Sequence, residues 1–187
     1  MDKQIKFSEL KTISGYPADQ VISALQKEIR RGNFESACFF CLELIESGEK
    51  FINKFWERML VVVVEDVFDV QAINAIRNLK ETYFELKESK KWDRDMQAIK
   101  AVQILSMAKK DRLVSEIYDY MGVKRKEGFK IEIPEYAIDM HTKQGKDNNK
   151  DYLHFLQISS KINNEVEDKN KKYLNELIKY AKRKIFP

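Results

Sequence analysis

Apolar residues recur every three to four positions along most of this 187-residue chain, the spacing that gives a helix one buried face. Gly15 permits a turn, and Pro17 presets the first turn of a helix. Val21, Ile22, Leu25 and Ile29 form that helix's stripe, and Gly32 followed by Asn33 supplies a stop and a fresh cap. Ala37, Cys38, Cys41, Leu44 and Ile45 make a second stripe that ends at Gly48. Two helices joined by so tight a turn are expected to lie as an antiparallel hairpin. From Glu49 the stripe continues through Phe51, Ile52, Phe55, Met59, Val62 and Val63. The run Val61 to Val64 taken alone favours a strand. Helical periodicity over about four turns, with no second strand of similar strength nearby, decides for helix. Asp69 is then the expected N-cap of a fourth helix whose Val70, Ile73, Ile76 and Tyr83 face inward.

A fifth helix fits Asp93 to Lys109, with Met96, Ile99, Val102 and Leu105 on one face, and a sixth fits Asp111 to Met121, with Gly122 as its stop. Gly122 to Pro134 is the best boundary, an extended arm or lone strand with alternating Phe129, Ile131 and Ile133. A short helix over Tyr136 to Thr142, a polar turn over Gly145 to Lys150, and a last helix from Val166 to Ile185 complete the pattern. The expectation is an all-α bundle of about seven to nine helices. Residues 1–16 are a leading segment, 17–121 the core bundle, and 122–187 a basic extension packing on it.

Composition supports this reading. Only six Gly and three Pro among 187 residues, with 34% charged side chains, suit helices and nearly exclude a turn-rich β fold. A chain of this length buries about 70% of its surface, so no disulfide or metal is needed to hold it. The net charge of +4 is too weak to demand a polyanionic partner, but residues 121–187 carry 15 basic and 10 acidic side chains. The two cysteines lie in one apolar run, as expected of packing residues in a reducing compartment. No segment approaches a membrane span or a leader, so the chain is read as cytoplasmic with no membrane partner.

A Gly-rich phosphate loop, a nucleophile elbow and a zinc-binding helix motif are all absent from the sequence, and two histidines offer few players for acid–base catalysis. No catalytic residue, metal ligand or cofactor is therefore assigned. Lys27, Arg30 and Arg31, then Lys124, Arg125 and Lys126, then Lys143 and Lys146 are candidate nucleic-acid contacts, with solvated helix faces as the alternative. Glu65, Asp66, Asp139 and His141 are candidate members of a polar site. Glu65 and Asp66, with Asp69, suit capping and interhelix bonding or a ligand site. His141 beside Asp139 and Thr142 suits either a phosphate subsite or a helix cap.

One longer stretch is more specific. Val21 to Lys27 (VISALQK), Arg30 to Asn33 (RRGN), Glu35 to Ala37 (ESA), a helix closing at Glu46 to Glu49 (ESGE), and the pair Glu65 and Asp66 resemble the C-terminal domain of the RarA/MgsA family. These are AAA+ replication-associated recombination ATPases similar to clamp loaders. The resemblance spans about residues 20–70, with a weaker one over Ala98 to Tyr118. Asp139 to Lys146 is similar to small stand-alone relatives of that domain. Phe39 and Phe40 stand where the family has Tyr-Trp, and the chain has no counterpart of the ATPase and lid domains. The resemblance implies a helical oligomerisation domain, a homo-oligomer that is a tetramer in the family, and a setting in DNA replication or recombination. The expected function is a non-enzymatic interaction module, with DNA or an AAA+ ATPase as candidate partners. The alternatives are a small metal- or phosphate-dependent hydrolase or nuclease and a regulatory adaptor of a separate AAA+ ATPase.

Overall fold

The computed structural model describes residues 6–185. Among these the fold is all-α, with no strand and only two isolated bridges, Lys11 with Pro17 and Val67 with Lys110. The chain divides between Glu127 and Gly128 into two compact units.

The first unit holds six helices: α1 (Ala18–Arg31), α2 (Phe34–Glu46), α3 (Glu49–Glu65), α4 (Val70–Glu85), α5 (Lys91–Met107) and α6 (Leu113–Lys126). Pro17 precedes α1 in an extended conformation, and Gly32 closes it at φ 78°, a left-handed cap that a side chain rarely adopts. That turn folds α2 back on α1 as the expected hairpin. The valine run resolves as helix: Val62 and Val63 are buried in α3, while Val61 and Val64 are about half exposed. Tertiary burial of one face outweighs the β preference of the side chains. Asp69 caps α4, its Oδ1 accepting the Gln71 N–H at 2.9 Å. Val70 does not face inward as expected. It is 72% exposed, whereas Ile76 and Tyr83 are buried as expected, Ile73 packs partly buried against the core, and Ala72 joins the buried face.

α5 is the central element, packing on α1, α2, α3 and α4. Its buried positions include Ala98 and Ala101, whose small side chains admit four neighbours at close range. Phe55, Trp56 and Tyr83 stack edge to face through the core, with centroids 5.0 and 5.4 Å apart. Arg94 lies over the Tyr83 ring at 5.3 Å. Burial pushes the Tyr83 phenol up to about 12. The Lys110 ammonium closes the C-terminus of α5 by donating to the carbonyls of Leu105, Ser106 and Ala108, and burial lowers its pKa.

Gly122 does not stop the sixth helix, which runs on to Lys126. A single glycine inside a helix costs only about 1 kcal/mol, and the cations of the last turn favour the C-terminal dipole. Within the first unit α6 packs on α3 alone.

The second unit contains α7 (Lys143–Asp147), α8 (Tyr152–His154, continuing as a π turn over Phe155–Ser159) and α9 (Lys172–Lys182). Three expectations shift here. Tyr136 to Thr142 is no helix beyond a 3₁₀ turn at Glu135–Ala137, the expected polar turn begins as α7, and α9 is shorter than 166–185. Asn164 adopts φ 54° and an irregular segment follows, so the periodic apolar residues before Lys172 are not drawn into one helix. Leu156 and Ala181 are the buried hydrophobic residues of this unit among the described residues.

Candidate functional site

The acidic pair at the end of α3 is the most connected polar cluster of the first unit. The Asp66 side chain is fully buried, and Arg30 Nε of α1 donates to its Oδ1 at 2.9 Å, while Arg30 Nη2 lies 3.2 Å from both Asp66 Oδ2 and Glu65 Oε1. From the start of α6, Arg112 Nη2 reaches Glu65 Oε1 at 3.0 Å, and its Nε stands 3.3 Å from Asp66 Oδ1. Gln26 donates to Glu65 at 2.9 Å and accepts from Arg58 at 3.0 Å. Backbone bonds complete the joint: Asp111 N–H to the Asp66 carbonyl and Phe68 N–H to the Lys109 carbonyl, both 3.1 Å. Two carboxylates matched by two guanidinium groups form a clamp holding α1, α3 and α6 at one point. Arg30 is thus committed to Asp66. Of its neighbours, Lys27 donates to Ser23, and Arg31 donates to the Lys27 carbonyl at 3.1 Å. Lys124, Arg125 and Lys126 occupy the last turn of α6.

Asp139 and His141 lie in the second unit, whereas Glu65 and Asp66 lie in the first. Asp139 is largely buried, and its Oδ1 accepts the His141 N–H at 2.9 Å; His141 Nδ1 stands 3.2 Å from both carboxylate oxygens. These bonds, the backbone one foremost, hold the Asp139 carboxyl below its usual range. Thr142 ties the turn together, donating to the Asp139 carbonyl and accepting the Gly145 N–H, both at 3.0 Å. Gly145 is obligatory: a Cβ there would lie 1.8 Å from the Asp139 carbonyl oxygen. Phe155 meets the His141 ring edge to face at 5.1 Å. Lys143 and Lys146 are exposed on α7 beside this turn.

Cys41 is buried in the core and Cys38 is half-buried, and burial raises both thiols above their ordinary value. Among the described residues, no group of three or more His, Cys, Asp or Glu is arranged to hold a metal ion, and no helix is long and apolar enough to cross a membrane.

One feature escaped the sequence reading. Leu60, Val61 and Val64 of α3 and Val114 and Tyr118 of α6 line an apolar groove of about 450 Å³, together with Glu65 and Ser115. No residue of α6 is buried. Leu113 is 61% exposed and Tyr118 79%, although a monomer ordinarily turns at least one apolar stripe of a helix inward. The signal was present in the chain. Val61 and Val64 exceed what one buried face of α3 needs, and Leu113, Val114, Ile117, Tyr118, Tyr120 and Val123 form a broad apolar side of α6 opposite Ser115, Asp119 and Lys126.

No family model matches this chain, and no curated protein matches it significantly.

Proposed function

We propose that this chain is a non-enzymatic interaction and oligomerisation module working in DNA replication or recombination. The observation that carries the reading is α6, a fourteen-residue helix that presents large apolar side chains to solvent and buries none. Contiguous apolar surface of this kind marks a protein contact face. Its replication setting rests on the resemblance of residues 20–70 to the RarA/MgsA C-terminal domain. The non-enzymatic part is supported by the clamp at Glu65 and Asp66, whose carboxylates are already matched by Arg30 and Arg112. A separate AAA+ ATPase is a candidate partner on the same grounds of resemblance. DNA is a second candidate, contacted through basic positions such as Arg125, Lys126, Lys143 and Lys146. Its affinity then falls steeply as salt rises.

Light scattering on the purified chain, with and without duplex DNA at two salt concentrations, tests this. A mass above that of the monomer is expected, with a DNA-dependent increase at low salt only. A strict monomer that ignores both DNA and an added AAA+ ATPase overturns the reading.

A further inference from the structure

Three rows of side chains run side by side along α9, each following the three- and four-residue spacing of a helix face. Leu174, Ile178 and Ala181 form the row turned into the second unit, where α9 packs on α8 and the π turn. Ala181 is buried and the other two are partly covered. The neighbouring row is Tyr173, Leu177 and Tyr180, and it lies in solvent, with Tyr173 69% and Tyr180 46% exposed. The two tyrosines stand two turns apart, about 10.5 Å along the axis. The third row is Lys172, Glu176, Lys179 and, one residue past the helix, Arg183. The Lys172 ammonium lies over the Tyr173 ring at 5.9 Å, so the cationic and aromatic rows meet.

The positive charge exceeds what the helix itself uses. From Leu177 to Lys184 the chain has Lys179, Lys182, Arg183 and Lys184 and no acidic residue. Glu176 matches Lys179 at 2.7 Å, and among the described residues no ion pair engages the other three. The C-terminal dipole of a helix offsets only about half an elementary charge. A surplus of cations is therefore left at the end of the exposed tyrosine row.

Such a face fits a polyanion that also offers flat rings. An anionic membrane fits poorly, because Leu174 and Ile178 are partly covered by the unit rather than free to enter lipid. Duplex DNA offers phosphates but keeps its bases stacked on one another. An unpaired strand offers both, phosphates to the cations and base faces to the tyrosines. Resting on the DNA contact proposed above, we propose that the tyrosine and basic rows of α9 are a docking platform for single-stranded DNA. Bases stack on Tyr173 and Tyr180, and the phosphates between them follow Lys172 and Arg183.

Fluorescence anisotropy of labelled oligo(dT) over a range of salt concentrations tests the proposal, with the full chain, the double variant Tyr173→Ala/Tyr180→Ala and the double variant Lys172→Gln/Arg183→Gln. All four positions are exposed, so the far-ultraviolet circular dichroism of each variant should match that of the wild type. The wild type should bind oligo(dT) more tightly than a duplex of the same length. Loss of the two rings should weaken binding by about tenfold or more and leave the salt dependence unchanged, since no charge is removed. Loss of the two cations should lower the slope of log affinity against log salt by about 1.4, at about 0.7 for each phosphate contact to a single strand. A tyrosine variant that binds as tightly as the wild type overturns the platform and leaves DNA contact through Arg125, Lys126, Lys143 and Lys146 standing. Tighter binding of oligo(U), or binding of phosphatidylserine vesicles by a chain that ignores oligo(dT), overturns the choice of occupant. A chain that binds no DNA at low salt overturns both the platform and the proposed DNA contact, while its mass by light scattering without DNA still decides the assembly reading.

Discussion

Consecutive helices α5 and α6 are comparable in length but opposite in what they bury. α5 packs on four helices and buries Asp95, Ala98, Ala101, Val102, Leu105 and Ser106, whereas α6 packs within its unit on α3 alone and buries nothing. The difference does not come from apolar content. α5 concentrates small and aliphatic residues on positions that meet neighbours closely, while α6 carries larger apolar groups on one broad side. In α5 the hydrophobic effect is spent inside the chain; in α6 the apolar side chains are left at the surface.

Substitutions that separate internal from external burial sharpen this contrast. Leu105→Ala in α5 should destabilise the chain by about 2–5 kcal/mol, as for aliphatic side chains truncated in a closed core, measured by urea unfolding of dilute protein. A loss below about 1 kcal/mol would mean that α5 is less enclosed than its 0% exposure at Leu105 implies. Arg30→Met comes next, at about 3 kcal/mol, because it strips one partner from a buried carboxylate while Arg112 remains. Ile117→Ala in α6 should change the stability of the dilute monomer by no more than about 0.5 kcal/mol. A large loss there would place Ile117 in a core of its own and remove the basis of the comparison.

Legibility in the sequence follows the same division. In α1 periodicity and caps marked the buried face: Val21, Ile22, Leu25 and Ile29, Gly32 at its end, and Asp69 before α4 are as expected, whereas in α5 Ala98 and Ala101 are buried beside Val102 and Leu105, and Met96 and Ile99 are only partly covered. The end of α6 was misplaced because a glycine is a stop only when the chain needs a left-handed residue there, and Gly122 is not among the positive-φ glycines. The second unit was the least legible, since its order rests on side-chain bonds between near neighbours. The Asp139 carboxylate with His141, and Thr142 with Gly145, leave no period to follow. Of the candidate polar residues, Glu65 and Asp66 were visible as an acidic pair. Their partners Arg30 and Arg112, 36 and 47 residues away from Asp66 and Glu65 respectively, were set by tertiary packing and carried no local signature. The groove was missed for a related reason: an exposed apolar surface is recognised only after the buried one is known.

Hydrogen exchange on the full chain at low and high protein concentration tests most directly whether α6 is a contact face. Amides of residues 113–126 should gain protection as concentration rises, with those of α1 and α5 already protected at the lowest concentration. Unchanged exchange across α6 while another segment gains protection would contradict the assignment and move the interface elsewhere.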